Sequence, residues 1–201
     1  RLVDRRLERH VPRRISFLLA LVLASALFWT IGNGVLIRGI VGLLDSSYAR
    51  LDTLIEDGMA PPADTLKTGG PGSLLEWEPL GRQGRLTIAA LPGKAEIEAF
   101  TGQPAMEPIR VYVGARSAET VAERANLALR ELIRVGGFDR SILVIATPTG
   151  TGWVDPAGQQ PLEYLHHGDV ATVAVQYSYL PSWLSILVDP DIGAETARAV
   201  F

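Results

Sequence analysis

The distribution of apolar residues predicts a long helix near the start of the chain. Residues 15–37 carry no charged side chain, and a helical run of this length crosses the ~30 Å hydrocarbon core of a bilayer. A buried core helix is the alternative, and a cleaved signal peptide is disfavoured because its apolar region is usually shorter. Further apolar residues recur at helical spacing, so we expect a stalk to about Asp57, ended by Gly58 and Pro61. Residues 1–60 are therefore predicted to form a membrane span and a helical stalk.

The pattern changes in residues 61–107. Glycine and proline recur there and the apolar runs are short, so we expect no long element, only an ordered crossing segment or a linker. Residues 69–73, GGPGS, resemble a phosphate-binding loop. They lack the Gly-Lys-Ser/Thr ending whose lysine and hydroxyl hold phosphate and magnesium, so we predict no nucleotide site in this junction segment.

From residue 108 onward, strand-like and helix-like runs alternate. Apolar and β-branched residues predict strands at 109–114, 141–147 and 170–180. The middle run is almost continuously apolar, which is typical of a strand covered on both faces. Between the strands, apolar residues at helical spacing predict helices.

Three polar positions mark where those helices begin. Ser117 is the predicted N-cap of the first helix, and Asp155 followed by Pro156 is the predicted start of the second. The pair Asp189-Pro190 predicts the start of a third. A strand–helix alternation of this kind indicates an α/β fold with a mainly parallel sheet over residues 108–201.

Composition excludes several classes of protein. The chain has 201 residues, 47% of them hydrophobic, and a formal net charge of −3, which disfavours disorder and gives nucleic acid no basic surface to bind. There is no cysteine, so disulfides, thiolate metal sites and a cysteine nucleophile are excluded. His166 and His167 are adjacent, and we interpret them as a helix-end pair because no third ligand accompanies them at zinc spacing. We expect no metal and no cofactor.

Charge also predicts the orientation of the span. Arginines are concentrated before residue 15, with two soon after residue 37, and positive residues prefer the cytoplasmic side of a membrane. We expect a cytoplasmic N-terminus and a globular part that faces the periplasm or the cell exterior. The arginines before the span are Arg1, Arg5, Arg6, Arg9, Arg13 and Arg14, and those after it are Arg38 and Arg50.

The loop after the second predicted strand is the strongest candidate for chemistry. In open parallel sheets, ligands collect at the carboxyl ends of the strands, and residues 147–156 read TPTGTGWVDP. Its two glycines allow backbone N–H groups to approach a bound oxygen, as an oxyanion-stabilising loop requires. A simple strand-to-helix turn is the alternative interpretation. The oxyanion-loop candidates are Thr149, Gly150, Thr151, Gly152 and Trp153.

Several segments together resemble a known family. These are EPIRVYVGARSAETVAERANLALREL, SILVIATPTGTGWVDP, LEYLHHGDVATVAVQYSYLPSW and GAETARAVF, with GGPGSLLEWEPLGRQGR before them. They are similar to bacterial membrane-bound α/β-hydrolase family proteins, in which a multi-span N-terminal domain precedes a hydrolase domain. The resemblance implies that residues 108–201 form the N-terminal half of a hydrolase sheet, and that the span is the last of several.

The hydrolase order of elements places the catalytic serine later in the chain. The family's nucleophile lies in a G-x-S-x-G turn, with acid and histidine downstream, and no G-x-S-x-G occurs in the sequence. Ser178, Ser182 and Ser185 do not lie in such a turn and are not assigned as nucleophiles. The chain begins with Arg1 and ends at Phe201 within a predicted helix. We therefore expect both ends to be cuts, with the triad beyond Phe201 and residues 1–201 alone inactive.

The resemblance implies a membrane-anchored serine hydrolase of the esterase or lipase type. Its expected partners are the lipid bilayer and a small-molecule or lipid ester, with no nucleic acid. The alternative is a noncatalytic envelope protein that uses the same fold for binding or assembly, because fold alone does not establish chemistry.

Overall fold

The computed structural model describes residues 13–201. The chain divides into two compact units, Arg1–Leu44 and Asp45–Phe201. Of the arginines that predict orientation, Arg1, Arg5, Arg6 and Arg9 lie outside the described residues. The predicted domain boundaries at residues 60 and 107 stay predictions.

The first helix, α1, spans Arg13–Thr53. The helix predicted from the apolar run is therefore confirmed, although it ends at Thr53 and not near Asp57. Within the first unit its apolar side chains are largely exposed, including Phe17, Phe28 and Trp29. Across residues 13–201, no helix combines the length and the apolar character needed to cross a membrane, so the predicted span is not supported by the described part of the chain.

Three parallel strands form the sheet of the second unit. They are β1 (Ile109–Val113), β2 (Ile142–Ala146) and β3 (Val170–Val175). Their order is β1-β3-β2, with Ile109 opposite Ala171 and Ile142 opposite Val170. The predicted parallel sheet is confirmed, and its three strands lie within the predicted ranges.

Helices cover both faces of this sheet. The second unit contains α2 (Gly81–Ala89), α3 (Lys94–Thr101), α4 (Val121–Arg134), α5 (Pro156–Leu165), α6 (Ser182–Val188) and α7 (Ile192–Val200). Short 3-10 helices occupy Glu78–Leu80 and Gly137–Asp139. Leu143 and Val173 line one hollow with α4 and α7, whereas Val144 and Thr172 line another with α5. Successive side chains of each strand therefore point to opposite faces of the sheet.

Local capping explains where two of these helices begin. Thr120 Oγ1 accepts a hydrogen bond from the Glu123 N–H at 3.2 Å, and the Glu123 carboxylate accepts one from the Thr120 N–H at 2.9 Å. This reciprocal pair forms a capping box, so the predicted cap at Ser117 is wrong by three residues. Asp155 does cap α5, since its Oδ1 accepts from the Ala157 N–H at 2.9 Å.

The strand β2 is less buried than its sequence predicts. β1 and β3 are buried along their full length, whereas every residue of β2 retains some exposure. β2 lies at one edge of the sheet, and no described segment pairs with its outer side. The other edge is covered, because Thr68 Oγ1 donates to the outward-pointing carbonyl of Arg110 at 2.9 Å.

The junction segment is an ordered part of the second unit. It contributes Leu75, Trp77, Leu80 and Ile88 to the same hydrophobic core as β1 and β3. It also contains α2 and α3, which the sequence pattern did not predict. The N-terminus of α2 is capped from outside the segment, because Asp52 Oδ1 accepts the Arg82 N–H at 3.0 Å.

Candidate functional site

The loop after β2 lies at the carboxyl end of the sheet and is held mainly by its own hydrogen bonds. The Thr149 N–H donates to the Trp153 carbonyl at 2.9 Å, and the Gly152 N–H donates to the Thr149 carbonyl at 2.8 Å. Trp153 N–H donates to Thr149 Oγ1 at 3.2 Å. Three of the five candidate residues therefore donate their N–H groups to acceptors within the loop.

The fourth N–H fastens the loop to the segment after β3. Gly150 N–H donates to Ser182 Oγ at 3.0 Å. A Cβ on Gly150 would collide with the Leu180 carbonyl and crowd the Ser182 nitrogen, so only glycine allows this close approach.

Gly152 is required for a second reason. Its φ is +91°, in the region that favours glycine. A Cβ there would collide with Tyr112 Oη and crowd the Gln176 amide. The structure thus shows both loop glycines close to other protein atoms, while their predicted approach to a bound oxygen stays a prediction.

Two buried side chains from neighbouring strands fix the loop from below. Tyr112, on β1, donates from Oη to the Gly152 carbonyl at 2.7 Å. Burial raises the pKa of Tyr112 well above its ordinary value, so the phenol remains a donor across the physiological range. Gln176, which follows β3, donates to the carbonyls of Thr151 at 3.3 Å and Ser178 at 3.0 Å.

Thr151 is the residue of the loop whose N–H is left available. Within residues 13–201, no protein acceptor receives a hydrogen bond from this N–H, while its carbonyl is held by Gln176. Thr151 lines a hollow of about 180 Å³, the strand-end cleft. The cleft is lined by Tyr48, Leu51, Asp52, Arg82, Gln83, Thr151 and Tyr179. Thr151 therefore lines a cleft at the strand ends, and its N–H has no protein acceptor among the described residues.

A second hollow lies beside the same loop. It measures about 270 Å³ and is lined by Thr149, Trp153, Val154 and residues of β2 and α5. Its wall is mainly apolar, and Trp153 is substantially exposed at its rim. We call it the Trp153 pocket. Thr149 and Trp153 face one hollow while Thr151 faces the other, so the loop lies between the two.

Asp52 is a candidate that the sequence did not reveal. It lies near the end of α1, is almost fully buried, and its Oδ2 has no hydrogen-bond partner among the described residues. Burial raises the pKa of Asp52, although the hydrogen bond from the Arg82 N–H and the charges of Arg116 and Arg85 act in the opposite direction. A titratable group with such a shift in a cleft is a recognised sign of a functional site. Asp52 is distant in sequence from the loop, so the sequence pattern did not associate the two.

The serines of this region have structural roles. Ser178 Oγ accepts the Leu180 N–H at 3.0 Å, Ser182 Oγ accepts the Gly150 N–H, and Ser185 is buried in α6. None of them is placed beside a histidine base in the described structure. His166 follows the end of α5 and His167 has a φ of +50°. Over residues 13–201, no group of three or more metal-ligating side chains is brought together.

A parallel sheet with helices on both faces and a glycine-bearing loop at its strand ends defines an open α/β arrangement, in which ligands bind at the carboxyl ends of the strands. The sequence comparisons agree with this class. Residues 109–201 match the α/β-hydrolase family, and residues 1–92 match the N-terminal region of that family. Together the two matches cover the chain except for residues 93–108. The chain therefore belongs to this α/β-hydrolase family. No curated protein and no solved structure matches the chain.

Proposed function

We propose that this chain is part of a serine-type hydrolase that cleaves carboxylic esters, with residues 149–153 binding the ester carbonyl. The observation that carries the proposal is the free N–H of Thr151, held at the strand ends in a loop whose other N–H groups are occupied. Carbonyl hydrolysis develops negative charge on oxygen, and a preorganised N–H stabilises that charge without reorganisation. The two hollows beside the loop suit the two halves of an ester. Ser178 and Ser182 accept structural hydrogen bonds and Ser185 is buried, and we assign no residue of this chain as nucleophile.

The test removes that single donor. In the protein expressed from its complete native gene, Thr151→Pro deletes the N–H, whereas Thr151→Ala keeps the N–H and deletes only the hydroxyl. We expect Thr151→Pro to lower the hydrolysis rate of a p-nitrophenyl ester by about 10²–10³-fold, as for loss of one oxyanion donor. Thr151→Ala should remain within a few-fold of the parent.

Folding is the control for this comparison, and urea unfolding of both variants provides it. If Thr151→Pro folds and hydrolyses the ester at the parent rate, the loop does not bind the carbonyl. If the parent neither hydrolyses esters nor reacts with a fluorophosphonate, a binding or assembly role replaces the enzymatic one.

We further propose that the protein is attached to a bacterial plasma membrane, with its globular part outside the cytoplasm. The exposed apolar side chains of residues 15–29 support attachment to lipid, and the excess of arginines before residue 15 supports a cytoplasmic N-terminus. Alkaline phosphatase fused after Ala60 in the native gene should be active. An inactive fusion, with an active cytoplasmic reporter at the same position, would reverse the orientation.

A further inference from the structure

Helix α6 buries Leu184 and Ser185 but leaves its other large apolar side chains exposed. Trp183, Ile186 and Leu187 are 65%, 59% and 74% exposed, while Ser185 is only 3% exposed. Positions i, i+3 and i+4 lie on one face of a helix, so the three large side chains form one continuous apolar surface. We call it the α6 surface. A helix on a soluble protein normally turns such a face inward, and its exposure therefore indicates an apolar partner.

The charges around this surface define what the partner can be. Between the end of β3 and the start of α7, the charged residues are Asp189 and Asp191, and both are exposed. The segment carries no lysine or arginine. Attraction to anionic lipid depends on basic side chains, so the α6 surface is suited to an uncharged or zwitterionic environment.

The size of the surface argues for lipid over protein. A stable protein interface buries at least ~1,000 Å² in total, whereas a few side chains of a two-turn helix cover only a few hundred Å². An amphipathic element that inserts shallowly at a membrane surface needs no larger area, and tryptophan is enriched at that depth.

The α6 surface is also coupled to the candidate site. Ser182, the first residue of α6, accepts the Gly150 N–H through its Oγ at 3.0 Å. The segment just before α6 contacts the same loop, because Leu180 and Pro181 pack against Gly150. A ligand bound to α6 therefore contacts a helix that is joined by a single hydrogen bond to the loop that contains Thr151.

We propose that α6 docks on a zwitterionic lipid surface, so that the ester hydrolysed at the strand-end cleft is drawn from lipid. This inference rests on the proposed function for the identity of the substrate, but the docking itself does not depend on hydrolysis. Docking brings the loop to the membrane surface, where an ester-bearing lipid can enter the hollows beside it.

Site-specific spin labelling tests this directly in a full-length protein whose only cysteine is the introduced one, and residues 1–201 contain none to replace. Leu187→Cys places a nitroxide on the α6 surface. Ile133→Cys is the matched control, because Ile133 is 62% exposed on a different helix, α4. The full-length protein is reconstituted in phosphatidylcholine vesicles, and the collision rate of each label with a water-soluble nickel complex and with oxygen is measured by electron paramagnetic resonance.

We expect the label at position 187 to collide several-fold less with the nickel complex and more with oxygen once vesicles are present. The label at position 133 should stay accessible to the nickel complex. Substituting Trp183→Gln together with Ile186→Gln should restore nickel access at position 187.

Three results would overturn the proposal. The first is equal nickel access at positions 187 and 133 in vesicles. The second is shielding of position 187 in the absence of lipid, as self-association would produce. The third is shielding of position 187 in phosphatidylglycerol vesicles but not in phosphatidylcholine vesicles. Because none of these readouts uses activity, a protein that fails to hydrolyse esters would leave the docking result intact.

Discussion

The Tyr112 hydroxyl donates a 2.7 Å hydrogen bond to the carbonyl of Gly152, which joins the core strand β1 to the loop after β2. Tyr112 is fully buried, so the loop carbonyl has no water to replace this donor. Tyr112→Phe should lower the free energy of unfolding by about 1–3 kcal/mol, the cost of leaving a buried acceptor unsatisfied. Urea unfolding measures the loss. The control is Tyr177→Phe at a partly exposed ring, and an equal loss in both variants would mean that the Gly152 contact contributes nothing.

The loop glycines should differ from glycines in open positions. Gly152→Ala combines a strained φ with a collision against Tyr112, and Gly150→Ala forces the Leu180 carbonyl away. Each should cost about 1–3 kcal/mol by overpacking, with Gly152→Ala the larger loss. Gly158→Ala in α5 meets nothing within 4 Å and should be neutral or stabilising. Thermal unfolding of the three variants decides the point, and equal melting temperatures would contradict the packing shown around the loop.

A buried ion pair positions the helix that follows the loop. Arg110 on β1 donates from Nε and Nη2 to the Glu163 carboxylate of α5, both at 2.7 Å, and the pair is almost fully buried. Glu163→Gln leaves the Arg110 charge buried and uncompensated, which typically costs about 3–5 kcal/mol. The exposed pair Lys94–Glu98 supplies the control, since Lys94→Gln should cost less than about 1 kcal/mol. Similar losses for both would show that Arg110 finds other partners.

Two carboxyl groups, Glu131 and Asp52, should change the free energy of unfolding in opposite directions as pH rises. Burial alone would raise the pKa of Glu131, but hydrogen bonds from Arg134, Ser73 and Leu74 hold it below its ordinary value. Its stabilising contribution is therefore present above the unfolded pKa and is lost as pH falls through the folded pKa. Glu131→Gln should destabilise the protein at neutral pH, with the difference from the parent shrinking in acid.

Asp52 provides the opposite sign as a control. Its folded pKa is raised by burial, so its stabilising contribution is present below the unfolded pKa and is lost as pH rises through the folded pKa. Asp52→Asn keeps an acceptor for the Arg82 N–H and should stabilise the protein at neutral pH, with no gain in acid. Urea unfolding from pH 3 to 7 gives the difference in free energy of unfolding between each variant and the parent, and differences that change with pH in the same direction would contradict one of the two assignments.

Much of the sheet could be predicted because its signals are local. The three strands are short runs of β-branched and apolar residues bounded by glycine or polar residues, and Asp155 marks the start of α5 by its own side chain. The loop glycines were identifiable for the same reason. Each of these features depends on residues within a few positions of one another.

The features that were missed depend on contacts between distant residues. Asp52 caps α2, and Arg85 of α2 in turn donates to the carbonyls of Asp52 at 3.3 Å and Leu54 at 2.5 Å, at the end of α1. This reciprocal capping stabilises a helix whose sequence, GRQGRLTIA, has two glycines and weak helix propensity. The partial exposure of β2 was missed because an apolar run does not show which strand lies at the edge of the sheet.

The central claim is that the Thr151 N–H stabilises the oxyanion, and its amide resonance tests this most directly. In the native-gene protein labelled with ¹⁵N-threonine, Thr151→Ser removes one peak and so assigns it. After reaction with a fluorophosphonate, whose phosphoryl oxygen stands in for the oxyanion, we predict a downfield shift of the Thr151 amide proton and slower exchange with solvent. An unchanged Thr151 peak in the fully reacted protein would contradict the account.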